Sequence, residues 1–230
     1  MTNTLQGISS MATRQVLADL VAAWQASGGE PVRIESVGGV DAAKRVQAGE
    51  EAFDVVFLAS DAIDKLLGTG RVAAGSKADL MLASTAVAVR AGSMPPDIGS
   101  EDALRAAVLA APTIGYSTGP SGVALQKLFE RWGIADTVKA RTVQAPPGVP
   151  VGSLVAQGDV ALGFQQLSEL IHVPGIDIVG PLPAPVQIDT VFSAGVVAGS
   201  PNADAVRRLL AFMAAPEAAE AKRRQGMASA

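Results

Sequence analysis

Short apolar runs alternate with amphipathic ones along the chain, and several of the apolar runs pass into the next helix through a small polar or glycine cluster. TLQGIS, VRIESV, FDVVFLAS, TAVAVRAG, TIGYS, DVALGFQ and TVFSAGVVAG read as strands. RQVLADLVAAWQAS, DAAKRVQAG, DAIDKLLGTG, EDALRAAVLAA, GVALQKLFERW and ADAVRRLLAFMAAPEAAEAKRRQG read as helices, the last interrupted at Pro216. VPVGSLVAQG and QLSELI add shorter helical segments. This order predicts an α/β fold in which helices cover sheets. The clusters are Ser9-Ser10, Gly38-Gly39 and Tyr116 to Gly122, with Gln165-Gln166 as a fourth case. Ligands of open α/β sheets sit beyond the carboxyl ends of the strands. Four such junctions converge on one ligand only if two sheets face each other across a cleft.

The stretch GYSTGPSGVALQKLFERWGI, 115–134, shows why these junctions matter. Val123, Leu125, Leu128, Phe129 and Trp132 recur at helical spacing, and Gly133 stops the pattern. The helix opens on hydroxyls and glycines, where the first N–H groups have no internal partner. A helix start of this kind suits an anion, through open donors and the positive end of the macrodipole. The plainer alternative is that Ser121 is an ordinary N-cap.

Composition removes several chemistries. There is no cysteine, so disulfides, thiolate nucleophiles and zinc–thiolate sites are excluded. The lone histidine, His172, stands before a Val-Pro-Gly break and reads as a loop residue, which leaves no histidine metal site. A net charge of −4 argues against a nucleic-acid binder. No segment reaches the ~18 apolar residues of a membrane span, so no membrane insertion is expected. Met1 runs through TNTLQGISS directly into structure, without a basic stretch, a long apolar run and a cleavage site. The expectation is a soluble cytoplasmic protein, or a periplasmic one whose leader Met1 replaces. No metal and no cofactor are expected.

GISSMATRQVLADLVAAWQ, SVGGVDAAKRVQAGEEAFDVVFLAS, YSTGPSGVALQKLFERWGI and LVAQGDVALGFQQLSEL together resemble the type II periplasmic solute-binding proteins, in their molybdate-binding-protein-like branch. The resemblance covers essentially the whole chain. It rests on the order and spacing of four segments and not on one invariant signature. It implies two α/β lobes joined by two crossing strands, with a ligand cleft between the lobes. STAVAVRAG and DTVFSAGVVAG would be the crossings, so residues 1–85 plus 190–230 form lobe I and residues 86–189 form lobe II. The expected ligand-binding set, matching and departing positions together, is Ser9, Ser10, Thr13, Arg14, Gly38, Gly39 and Ser60 on lobe I. On lobe II it is Ser117, Thr118, Ser121, Gly122, Val123, Gln165 and Gln166.

Departures from that branch bear on the ligand. Molybdate binders offer serines at both first-lobe junctions and a tyrosine after the late strand. Here the second junction is Val37-Gly38-Gly39-Val40, and Gln165-Gln166 replaces the tyrosine. Arg14 adds a forked cation, which suits a planar carboxylate held in bidentate fashion. The expected ligand is therefore a small organic anion, a di- or tricarboxylate, and not molybdate. Three functions stay open. One is a binding protein, which would serve as the receptor of an ABC transporter if exported. The second is an enzyme similar to aconitate isomerase, which moves a double bond in an unsaturated tricarboxylate by proton transfer. The third is a ligand sensor. Proton transfer needs a base near an activated C–H and donors for the developing enolate. Its candidates are Ser10, Lys44, Tyr116 and Glu169.

Overall fold

The computed structural model describes residues 4–230. The reading of Met1 as the start of an unaddressed chain lies outside those residues. In chain order the first elements are β1 (Leu5–Ser10), α1 (Arg14–Ala26), β2 (Val32–Val37), α2 (Gly39–Ala48), β3 (Val55–Ala59) and α3 (Ser60–Gly68). Next come β4 (Ala78–Arg90), α4 (Glu101–Ala110), β5 (Ile114–Tyr116), α5 (Pro120–Arg131), α6 (Ala135–Val138) and β6 (Thr142–Gln144). Then follow α7 (Val151–Gln157), β7 (Leu162–Gln166), α8 (Leu167–Leu170), β8 (Ile176–Pro181) and β9 (Asp189–Val196). The chain closes with α9 (Ala203–Ala214), α10 (Ala219–Arg224) and β10 (Met227–Ser229). It divides into two compact units, Met1–Leu82 with Val191–Ala230, and Ala83–Thr190.

In the first unit β1 pairs in parallel with β2 and β3, and β9 pairs antiparallel with β3. A parallel strand covered on both faces should be apolar throughout, and VVFLA of β3 is buried at every position. Helix α1 turns Val16, Leu17, Leu20 and Trp24 inward. Ala42 and Val46 of α2 and Ile63 and Leu66 of α3 join Ile8, Val56 and Leu58 in one core. Asp54 ties the returning chain to this sheet. Its carboxylate accepts from the N–H of Gln6 at 2.8 Å, the hydroxyl of Ser200 at 2.6 Å and the amide of Asn202 at 2.9 Å.

The second unit is built around β7, which pairs antiparallel with β4 and parallel with β5. Strand β6 continues the parallel set and β8 lies against β4. Phe129 of α5 meets Phe164 of β7 edge-on at 6.5 Å, within a core that also takes in Leu104, Val108 and Ile114. On the other face of the sheet, two glycines in register, Gly115 and Gly163, let α7 come close. A Cβ on either would lie within 3.2 Å of the Val151 side chain.

Strands β6, β8 and β10 and helix α6 have no counterpart in the sequence reading, and β4 starts seven residues before the TAVAVRAG run. Two of these strands have three residues, too short for a period to register. Strand β8 is only partly buried along its length.

Candidate functional site

In the first unit the expected residues collect at the carboxyl ends of β1, β2 and β3. Ser9 and Ser36 face each other across the β1–β2 ladder, and their hydroxyls are 2.8 Å apart. Thr13 is fully buried and donates its hydroxyl to the Ser10 carbonyl at 3.1 Å. Both side chains are thus held by their own unit. Ser10 differs: its side chain is buried and its Oγ has no partner. It sits beside the start of α2, where a Cβ on Gly39 would lie 3.4 Å from the Ser10 Cβ.

Gly38 is the N-cap of α2, and its carbonyl takes the N–H of Ala42 at 2.9 Å. Among the described residues, the N–H groups of Gly39, Val40 and Asp41 have no acceptor, as expected of a helix's first turn. Ser60 opens α3 in the same manner, half-buried after the N-cap Ala59. Arg14, the first residue of α1, is exposed and makes no ion pair among the described residues. Lys44 is exposed in the second turn of α2, away from the helix head.

In the second unit the opening of α5 takes a form of its own. Gly119, not Ser121, is the N-cap, and Pro120 occupies the first turn, where its missing N–H costs nothing. The N–H groups of Gly122 and Val123 are both donated to the Gly119 carbonyl, at 3.1 and 3.2 Å. Among the described residues, the donors left open at this end are the N–H groups of Thr118 and Ser121, those of Gly122 and Val123 being taken up inside the helix start. Ser121 is buried, its hydroxyl 3.3 Å from that of Ser117, which also accepts from the Gly119 N–H at 3.3 Å. Thr118 is exposed. The Tyr116 ring packs against the unit's core and against Gly122.

The two glutamines that end β7 have separate duties. The Gln165 amide oxygen accepts from the N–H groups of Val151 and Gly152 at 2.8 and 3.4 Å, capping α7. That bond fixes the orientation of the amide, so its NH2 group is the one offered to Glu169. Gln166 donates to the Thr190 hydroxyl at 2.8 Å, and its own amide oxygen is buried without a partner. Thr85 is the register partner of Gln166 on β4, and its hydroxyl is also buried and unpaired. Thr85 and Thr190 were not among the expected site residues. Their signal in the sequence is faint, a single threonine opening each of two apolar strands.

Glu169, in the first turn of α8, is half-buried. Burial pushes its carboxyl up to about 7, against the opposing pull of the Gln165 amide. A helix-start acid in water would be ionised well below that. Among the described residues, no group of three His, Asp or Glu side chains gathers in a way that would hold a metal ion. None of the described helices is long and apolar enough to cross a membrane. Each unit therefore presents helix starts and neutral donors at its strand ends, the first adding an unpaired arginine and the second a desolvated carboxyl.

A family model described as bacterial extracellular solute-binding protein matches residues 5–228. Among curated proteins, an aconitate isomerase from Pseudomonas sp. is 42% identical over 183 residues, which are 78% of this chain and 69% of that one. Among solved structures, the periplasmic molybdate-binding protein of Azotobacter vinelandii superposes with a TM-score of 0.79 at 21% identity, covering 97% of this chain and 98% of that one. The sulfate-binding protein SubI from Mycobacterium tuberculosis H37Rv gives 0.77 at 17% identity, covering 98% and 86%. At these identities the two structures speak for the fold.

Proposed function

Since the chain belongs to the bacterial extracellular solute-binding proteins and has their two-lobed type II fold, we propose that it binds a small unsaturated tricarboxylate such as aconitate and moves its double bond by proton transfer. The observation that carries this reading is the 42% identity with an aconitate isomerase over more than three quarters of the chain. In this reading the lobes are Met1–Leu82 with Val191–Ala230, and Ala83–Thr190, and each offers ligand groups at its own strand ends. The site chemistry agrees with it. Arg14 supplies a fork for one carboxylate. The α2 start and the Ser10 hydroxyl offer neutral donors to a second carboxylate, and Thr118 and Ser121 offer theirs from the other unit.

A second reading keeps the binding and drops the chemistry: a receptor that delivers an organic anion to a membrane transporter. The family's description favours it, since its members are extracellular solute-binding proteins. Proton NMR of the protein with trans-aconitate in deuterated water separates the two. The isomerase produces a new isomer at catalytic protein concentration, whereas the receptor binds the acid tightly and returns it unchanged.

A further inference from the structure

The isomerase reading leaves open which group carries the proton. Resting on that reading, we infer that the Glu169 carboxyl, held at the end of β7 by the Gln165 amide, takes the proton from one carbon of the substrate and returns it to another. Elimination and geometry argue together. Lys44 is exposed in the second turn of α2, away from the helix head where the expected site residues gather. Ser10 is a neutral hydroxyl suited to donating, and the Tyr116 ring is taken up in packing. Asp41 and Asp61 also stand at helix starts, but both are exposed, and Asp61 is paired with Lys65 at 3.2 Å. Asp54 is also buried among neutral donors, but it precedes β3 and stands at the amino end of that strand. Glu169 is half-buried just past the carboxyl end of β7, where the expected site residues of its unit gather, with a neutral amide donor in place of a cation.

Its support is continuous back to the sheet. Gly115 and Gly163 admit Val151, the approach of α7 brings the Val151 N–H to 2.8 Å from Gln165 Oε1, and that bond turns the Gln165 NH2 toward Glu169. Burial favours the protonated acid and the amide donor favours the carboxylate. The balance lies near neutrality, where a group can both accept and give a proton. The step conserves atoms and electrons. The ionised carboxylate takes a proton from the methylene carbon beside the double bond, and the C–H electron pair forms the new C=C bond. The old π pair moves to the far carbon, which takes the proton back from Glu169. The carboxylate is regenerated and no co-reactant is needed.

The elements around α8 add few charges. Helix α7 and strand β7 have none, β4 ends in Arg90, β8 carries Asp177, which accepts the Gly92 N–H at 2.9 Å, and His172 follows α8. The test compares wild type with Glu169→Gln, Glu169→Asp and Gln165→Met for trans-aconitate turnover, trans-aconitate affinity by calorimetry and melting temperature. Glu169→Gln should lower kcat about 100-fold or more while affinity changes less than about threefold. Glu169→Asp should keep a measurable part of the activity. Gln165→Met, lacking the amide donor, should move the acidic limb of the kcat profile to higher pH. A Glu169→Gln protein that turns over like wild type overturns this assignment alone. A wild type that binds trans-aconitate and never converts it overturns the isomerase reading and this assignment with it.

Discussion

Ser117 lays its backbone carbonyl against Gly122 so closely that a Cβ on this glycine would meet the oxygen at 1.8 Å. The backbone of Gly122 is helical, so the glycine is there for space and not for a rare dihedral angle. The contact folds the 117–119 loop over the first turn of α5 and sets where the Thr118 and Ser121 donors point. Gly122→Ala must push the loop away, at a cost of about 1–3 kcal/mol, and should abolish high-affinity ligand binding. Gly68→Ala is the control, since a Cβ there meets nothing within 4 Å and Gly68 ends α3, outside the expected ligand set. Thermal melts with ligand titrations check both. Equal stability losses in the two variants would remove the special role given to Gly122.

Two neighbouring serines should respond in opposite ways. Ser9 is bonded to Ser36, so Ser9→Ala should cost about 1 kcal/mol of stability. The buried Ser10 hydroxyl has no partner. Removing an unsatisfied polar group is close to neutral or stabilising, so Ser10→Ala should melt at or slightly above the wild-type temperature. Its ligand affinity should nevertheless fall. An unchanged affinity would mean that the Ser10 hydroxyl is not a ligand donor.

The strand and helix order was legible because buried strands write continuous apolar runs and amphipathic helices a strong period, and VRIESV was read to the residue. The helix starts were visible as polar clusters. What the sequence could not show is which groups the fold itself consumes. Ser9, Thr13 and the Gln165 amide oxygen look as available in the sequence as Ser10, yet each is satisfied within its own unit. Thr85 and Thr190 went unseen for the converse reason. A lone threonine in a strand is ordinary, and only the register with Gln166 and the bond to its amide place these two beside Gln166.

Arg14 separates binding from stability. It is exposed at the head of α1 with no ion pair among the described residues, so Arg14→Ala should leave the melting temperature nearly unchanged. Affinity for a tricarboxylate should fall by ~1.5–3 kcal/mol, the range for a hydrogen bond to a charged group. Arg14→Lys should recover only part of it, because the ammonium keeps the charge and loses the fork. Calorimetry that finds wild-type affinity in Arg14→Ala would make this arginine an ordinary surface residue.

Lys222 is almost fully buried on α10, with the Ser229 hydroxyl at 3.4 Å as its near partner. Desolvation holds its ammonium below the usual lysine range. A depressed lysine leaves the folded state binding fewer protons than the unfolded chain, so its burden is full below the folded pKa and lifts as pH rises through it. Lys222→Met keeps the stem and removes the buried charge, so it should raise the melting temperature at pH 7. The gain should shrink toward pH 10. A melt showing loss of stability at pH 7 would mean that the ammonium is better served than its surroundings suggest.

Glu169 gives the opposite pH dependence, and the last prediction turns on that sign. Its carboxyl is pushed from the ordinary 4.5 to about 7 by burial, so the folded state holds a proton that the unfolded chain releases. Stability then falls as pH rises from about 4.5, and the full penalty is present above about 7. The gap corresponds to on the order of 3 kcal/mol for a fully desolvated group, less for one that is only half-buried. Glu169→Gln cannot ionise. It should melt with wild type at pH 4.5 and above it at pH 8, by a few degrees at ~2–4 °C per kcal/mol for a chain of this size. A residue that serves only the first turn of α8 behaves differently, because an ionised glutamate there favours the helix dipole and its loss lowers stability at pH 8. Melting curves of the two proteins across pH 4.5–8.5 decide between these outcomes. A gain at high pH coupled to lost turnover identifies a carboxyl held at a cost to the fold, as expected where activity opposes stability. A loss at high pH returns Glu169 to the helix start.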